Sequence, residues 1–166
     1  MASLNLYDTT IVPIVRTLRN LSSLLKKGEN FADAKGIPHS ELLEARIAPD
    51  MAALPFQVQT CSNTAKFLAV RVAGVENVPW EDNEKTFDEL QARITKTIDF
   101  LEAVKREDFE GKEADHEITF QGVKLTGLVY VNAFAMPNFY FHAVTAYDLL
   151  RMKGVDIGKK DWLGRN

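Results

Sequence analysis

The strongest constraint on the fold is a repeat of apolar residues at three- and four-residue spacing, the spacing of one helix face. A helix with one apolar stripe needs a partner that buries that stripe, so several such segments in one chain predict a helical bundle. With 166 residues the chain can enclose one core of this kind, and we predict a single domain over residues 1–166. The predicted long helices are Leu6–Lys27, Met51–Val72, Phe87–Val104 and Leu128–Lys153.

The connections between these helices carry signals of their own. Glu29–Pro49 is too long for a plain loop, which predicts short extra helices between the first and second long helices. The alternation in His116–Phe120, the turn Gln121–Gly122 and the run Val123–Leu125 predict a small β-hairpin before the fourth helix. The predicted fold class is therefore all-α, an antiparallel four-helix bundle with these additions.

Capping residues predict where the long helices begin and end. Gly28 is expected to end the first helix, and Asp50 is expected to be the N-cap of the second. Thr86 with Glu89 three residues later forms the pattern of a capping box. Pro137 lies inside the fourth helix and predicts a kink there.

The charge distribution argues against nucleic acid as a partner. The formal net charge is -3 and the sequence has no strongly basic block, whereas phosphate binding needs clustered Lys and Arg. The charge-free stretch Leu125–Tyr147 has the length of a membrane span, but it contains Asn132, Asn138 and His142. Unpaired polar groups are costly in lipid, so we predict a buried helix and no membrane partner.

Two further features predict a cytoplasmic protein. The segment Met1–Leu6 has no basic region followed by an apolar run, so no secretory signal is expected. The single Cys61 cannot form a disulfide within the chain, which suits a reducing compartment.

The most informative polar residues lie on the fourth helix. Asn138 and His142 are four residues apart and therefore share one face. On the second helix, Gln57 shares a face with Cys61, and we expect an amide from this helix to face inward. Because bundle sites are built from facing helices, we predict a polar pocket around His142 as the catalytic candidate, with Asn138 and Gln57 as binding residues. The structural alternative is a core histidine satisfied by a polar neighbour.

Three other residues are candidates for binding a small molecule. Tyr140 carries a phenol that needs a hydrogen-bond partner when buried and can donate to a ligand. Arg46 and Asp50 flank the start of the second helix, where they either hold an anionic ligand or fix the connection by pairing with each other.

Several segments together resemble an uncharacterised (domain-of-unknown-function) family that is similar to the DinB/YfiT-like helical bundles. The resemblance runs almost end to end and implies a DinB-like bundle. Some members of that wider group are metal-dependent, thiol-linked transferases or isomerases. The segments that carry the resemblance are Ala45–Met51, Pro137–His142, Thr145–Arg151 and Gly158–Asp161.

The metal motif of the wider group consists of two histidines four residues apart on the fourth helix, a following Leu-Arg-x-x-Gly, and a third histidine from the second helix. Counting back from Leu150–Gly154, His142 matches the second histidine and Asn138 stands where the first would be. The predicted second helix, Met51–Val72, contains no histidine. The resemblance thus implies the location of a pocket, while two of the three expected metal ligands are absent.

These observations leave three hypotheses. The preferred one is a metal-free pocket that binds a small molecule at His142, with no cofactor. The second is a divergent metal-dependent hydrolase or transferase that uses His142 with substitute ligands from Gln57, Gln59 or Asp50. The third is a homodimeric interaction module without a small-molecule site. The sequence names no substrate and no reaction.

Overall fold

The computed structural model describes residues 5–114 and 116–165. Within them the chain is mostly helical, with one two-stranded antiparallel hairpin. The α-helices are α1 (Leu6–Thr9), α2 (Ile11–Lys35), α3 (Ser40–Leu43), α4 (Leu54–Leu68), α5 (Phe87–Glu102), α6 (Gly127–Tyr130), α7 (Met136–Met152) and α8 (Lys159–Trp162), and the strands are β1 (Glu117–Phe120) and β2 (Val123–Thr126). Arg106–Phe109 is a 3₁₀ turn, and Ala69–Ala73 and Val131–Ala135 are π-helical.

Four long helices surround one core, as the apolar spacing predicts. Helix α4 packs against α5 and α7, and α2 packs against the same two helices on the other side. Each contributes fully buried aliphatic side chains, such as Leu18 from α2, Ala65 from α4 and Ile94 from α5. The hairpin pairs Ile118 with Leu125 and packs against the bundle through Ile118. The predicted bundle with a small hairpin is confirmed.

The first long helix is longer than predicted. Helix α2 continues through Gly28 and ends only at Gly36, which adopts the left-handed conformation with φ 62°. Gly28 is therefore not a C-cap. A Cβ atom there would lie 2.8 Å from Leu150 Cδ2, so the glycine allows α2 and α7 to approach each other closely.

The second long helix begins later than predicted. Its N-cap is Ala53, which makes no side-chain capping bond, and Pro55 occupies the first turn. The predicted N-cap, Asp50, is exposed in the preceding turn, so that prediction is wrong. The N–H groups of the first helical turn have no partner within the helix, so a proline there costs no hydrogen bond. Pro55 therefore indicates the start of this helix better than Asp50 does. Beyond Leu68 the helix continues through the π-helical turn Ala69–Ala73.

The predicted capping box at the start of α5 is present. The backbone N–H of Glu89 donates to Thr86 Oγ1 at 3.2 Å, and the backbone N–H of Thr86 donates to Glu89 Oε2 at 3.0 Å. These two bonds satisfy two donors that the first helical turn would otherwise leave unpaired. The position of Thr86 is therefore fixed by α5.

The fourth long helix is a composite of α6, the π-helical turn Val131–Ala135 and α7. Pro137 lies in the first turn of α7, directly after the π-helical turn. The irregularity that Pro137 predicts is thus a π-helical turn, a form in which backbone bonds run from i to i+5. In the part of the chain that the structure describes, no helix is long and apolar enough to span a membrane.

A buried arginine fixes the segment between the end of α4 and the start of α5. The side chain of Arg93 is 2% exposed, although its guanidinium carries a full charge. Buried charges need partners, and this one is surrounded by acceptors. Its partners are Ser62 Oγ at 2.6 Å, the Glu81 carbonyl at 2.9 Å, Glu84 Oε1 at 2.8 Å, Asn63 Oδ1 at 2.9 Å and Asp82 Oδ1 at 2.9 Å. The segment that leads to Thr86 is therefore held against α4 and α5.

We expect Gly127→Ala to destabilise the fold strongly. A Cβ atom at Gly127 would lie 2.0 Å from the carbonyl oxygen of Lys112, so the backbone must shift to accept it. Overpacking of this kind lowers the free energy of unfolding by about 2 kcal/mol or more. Gly158→Ala is the matched control, because the nearest atom to its Cβ is Asp161 Oδ2 at 3.9 Å. Urea denaturation of both variants would contradict the expectation if their midpoints were equal.

Candidate functional site

A chain of hydrogen bonds joins the start of α4 to His142 on α7. Gln57 Nε2 donates to the carbonyl oxygen of Ala52 at 2.8 Å, and Gln57 Oε1 lies 2.7 Å from His142 Nδ1. A carbonyl can only accept, so the Gln57 amide nitrogen must face Ala52 and its oxygen must face His142. Since an amide oxygen also only accepts, Nδ1 of His142 carries the hydrogen. The tautomer of the imidazole is thereby fixed.

The other ring nitrogen of His142 is available to a ligand. Among the described residues Nε2 has no hydrogen-bond partner, and it is not a buried polar atom, so it reaches solvent. Burial of the ring lowers the pKa of His142 below its ordinary value. At neutral pH the ring is therefore uncharged, and Nε2 presents a lone pair that can accept a hydrogen bond or a proton.

Two exposed phenylalanine rings flank His142. The ring of Phe56 meets the imidazole edge-on with centroids 5.8 Å apart, and the ring of Phe141 does so at 5.2 Å. Phe56 is 49% exposed and Phe141 is 60% exposed, so both rings offer apolar surface to solvent. The imidazole of His142 thus lies beside two exposed aromatic rings.

One helical turn before His142, a second polar pair crosses from α7 to α4. Asn138 Nδ2 donates to Thr64 Oγ1 at 2.8 Å. Between the two polar pairs, the thiol of Cys61 donates to the carbonyl oxygen of Phe139 at 3.5 Å. Burial raises the pKa of the Cys61 thiol, which therefore stays protonated and unreactive. Thr64 was not predicted as a site residue, although its seven-residue spacing from Gln57 places both on the same helix face.

The residues at this seam do not fit the metal ion that the resemblance to the DinB/YfiT-like bundles implies. A zinc-class ion needs three or four imidazole, thiolate or carboxylate ligands that converge on one point. Here His142 Nδ1 is engaged by Gln57, and the groups nearby are amides, a hydroxyl and a protonated thiol. Within residues 5–114 and 116–165, no group of three or more His, Cys, Asp or Glu side chains is arranged to hold a metal ion.

A cleft of about 660 Å³ opens on the other side of Phe56. It lies between the connection that contains α3, the start of α4 and the start of α5. Its walls include Arg46, which donates to the backbone carbonyl of Met51 rather than to the carboxylate of Asp50. Phe56 is therefore shared by the cleft and by the surroundings of His142.

The remaining predicted residues lie elsewhere. Tyr140 is two residues from His142 on the helix and lines a different groove, with Pro13 and Trp162. Asp50 is exposed and does not line the cleft. Gln59 is buried and donates to a carboxylate oxygen of Glu84 at 3.0 Å, away from α7. Of the predicted binding residues, Gln57 contacts His142 directly and Asn138 shares its helix face.

The sequence profile of a family described as Domain of unknown function (DUF1993) matches residues 6–163. The chain belongs to the DUF1993 family. The chain is also similar to a solved structure, described as a DinB family member protein from Shewanella denitrificans. The two share 40% sequence identity and superpose with a TM-score of 0.90 over 96% of this chain and 92% of that one. Comparison with curated proteins gives no match.

We expect His142 to make the stability of this DUF1993 protein depend on pH. Its pKa in the folded state lies below the ordinary value of 6.5, so the fold favours the neutral ring. The resulting stabilisation is fully present above pH 6.5 and is lost as the pH falls through the folded-state pKa. Urea denaturation at a series of pH values measures it.

His142→Gln should remove this part of the pH dependence, whereas His39→Gln should retain it. Long-range proton–nitrogen correlation spectra of the wild type should also show the hydrogen on Nδ1. A dominant Nε2–H tautomer would contradict the hydrogen-bond assignment through Gln57.

Proposed function

We propose that this DUF1993 protein binds a small molecule at His142, without a metal ion. The ligand carries a hydroxyl or N–H group that donates to Nε2, and an apolar part that packs against Phe56 and Phe141. The observation that carries the proposal is the bond chain from the Ala52 carbonyl through Gln57 to His142 Nδ1. It holds the imidazole in one tautomer, and no donor among the described residues bonds to Nε2.

The energetic argument favours a ligand at this position. The imidazole is half-buried beside exposed aromatic surface, so a bound ligand would exclude water from both the acceptor and the rings. A neutral hydrogen bond contributes about 1 kcal/mol, and buried apolar area contributes about 25 cal/mol per Å². Phe56 and Phe141 therefore supply most of the affinity, and Nε2 supplies the orientation.

Asn138 and Gln57 have different roles in this proposal. Gln57 is a positioning residue, because it contacts His142 and not the open face. Asn138 donates to Thr64 through Nδ2, and no described residue bonds to its Oδ1. That oxygen is a second acceptor on the same face of α7, one helical turn from Nε2. In a reaction, Nε2 is the group that would accept a proton.

Phenol, which has one hydroxyl donor on an apolar ring, is a suitable probe for this site. Titration should shift the ring signals of His142 and of the flanking phenylalanines. His142→Phe keeps an aromatic surface and removes the acceptor, so it should weaken phenol binding about fivefold. Anisole, which lacks the donor, should bind the wild type about as weakly as phenol binds the variant.

Two results would contradict the proposal. One is equal binding of phenol and anisole to the wild type. The other is unchanged phenol binding by His142→Phe, with a thermal melt that shows an intact fold. Gln57→Met removes the acceptor that holds the hydrogen on His142 Nδ1. It should lower phenol affinity only because the Nε2–H tautomer becomes populated, and the nitrogen spectra would show that tautomer.

A second candidate function is self-association through the same face. It is favoured by the exposure of Phe56 (49%) and Phe141 (60%) on the adjoining helices α4 and α7. Exposed apolar patches of this type often mark protein interfaces. In this case a second copy of the chain would cover His142.

If a second copy covers this face, Phe141→Ser should weaken dimerisation about a hundredfold, because central aromatic residues dominate interface energetics. Sedimentation equilibrium at micromolar concentration measures the change. Val123→Ser is the matched control, since Val123 is 56% exposed on the hairpin. A wild-type protein that stays monomeric would refute self-association and leave the small-molecule proposal unaffected.

A further inference from the structure

We propose that the 660 Å³ cleft beside Phe56 binds a small amphipathic molecule with a single negative charge, with its carboxylate between Arg46 and Lys85. The apolar body would lie on the wall formed by the first turn of α4. This site shares the Phe56 ring with the surroundings of His142, but its charged group is bound by Arg46 and Lys85 and not by His142.

The size and the wall of the cleft suit such a molecule. Small-molecule sites have volumes of roughly 300–1,000 Å³ and are lined mainly by apolar groups. Here the apolar wall is continuous along the entry to α4 and includes an exposed aromatic ring. The wall consists of Leu43, Ala52, Ala53, Pro55 and Phe56.

Two cations on the rim are available to an anion. Arg46 uses one guanidinium nitrogen for the backbone carbonyl of Met51, and among the described residues it has no ion-pair partner. For the Lys85 ammonium, too, the described part of the chain offers no hydrogen bond or ion pair. Both side chains line the cleft and are exposed. The backbone N–H of Lys85 and, to a smaller extent, its charge help to lower the pKa of the nearby Glu89 carboxyl, but the ammonium makes no hydrogen bond or ion pair with a described residue and can still approach an anion.

The other ionisable groups of the cleft are mostly occupied. Glu84 accepts from the buried Arg93 at 2.8 Å and from Gln59 at 3.0 Å. His39 Nε2 lies 2.8 Å from a carboxylate oxygen of Asp33 and is engaged there. These groups are therefore poor competitors for a ligand.

One acidic group limits the ligand to a single negative charge. Glu44 lines the cleft, and none of the described residues forms an ion pair or hydrogen bond with its carboxylate. It would repel a second anionic group, because like charges in a partly desolvated site are unfavourable. The Glu84 carboxylate, whose partner Arg93 is shared with Asp82, adds to this repulsion. The cleft should therefore accept a monoanion more readily than a dianion such as a phosphate monoester.

Octanoate is a direct probe, with octanamide and octylammonium as matched neutral and cationic molecules. Titration calorimetry of the full chain should show saturable binding of octanoate, about tenfold tighter than octanamide. Lys85→Gln should weaken octanoate binding about fivefold, and Arg46→Gln about tenfold, because a charge-assisted bond is lost in each. Neither should change the affinity for octanamide.

Controls separate this site from the fold and from His142. Lys124→Gln removes a cation from the hairpin and should leave octanoate binding unchanged. Arg46→Lys keeps the charge and should retain most of the affinity if Arg46→Gln proves unstable. His142→Phe should also leave octanoate binding unchanged, although it weakens phenol binding.

Three outcomes would overturn the inference. The first is equal affinity for octanoate and octanamide. The second is unchanged octanoate affinity in Lys85→Gln, which removes an ammonium that has no described hydrogen bond or ion pair. The third is loss of octanoate binding in His142→Phe, which would move the ligand to the other side of Phe56.

Discussion

The packing of α4 against α7 brings amide, hydroxyl, thiol and imidazole groups into a largely apolar core. Each of these groups loses water when the helices meet, and an unpaired polar group in such a place costs about 1–3 kcal/mol. The seam avoids that cost because its members face one another, with Gln57 opposite His142 and Thr64 opposite Asn138. The described residues contain no buried side-chain nitrogen or oxygen without a partner. The relative position of the two helices is therefore set by hydrogen bonds as well as by volume.

Much of the fold could be predicted from local patterns. Apolar spacing identified the four long helices, and Thr86 with Glu89 marked the start of α5 because capping depends only on neighbours in sequence. The end of the first helix was predicted wrongly because tertiary contacts determine the role of Gly28. Gly28 resembles a helix end, but its missing Cβ serves the approach of Leu150 from a helix more than a hundred residues away.

The candidate site was predictable to a similar degree. The spacing of Asn138 and His142 placed them on one face. One of the second-helix amides was expected to face inward, and Gln57 is the amide that lies 2.7 Å from His142 Nδ1. Residue type alone does not distinguish Tyr140 from the residues at His142. Its two-residue offset from His142 is what directs it toward another groove. The cleft was not predictable, because its walls come from segments as far apart as Leu43 and Thr86, joined only by the folded core.

The π-helical turn Val131–Ala135 determines which way the seam residues of α7 point. A π-helical turn places one more residue in a stretch that an α-helix would cover without it, so everything after it is rotated by about 100° relative to an uninterrupted α-helix. Asn138 and His142 face α4 only with that rotation. The residues before the turn can thus direct their apolar side chains into the core, while the polar face after the turn has a different orientation around the helix axis. A change in length at this single turn would redirect the whole polar face without altering any residue that forms it.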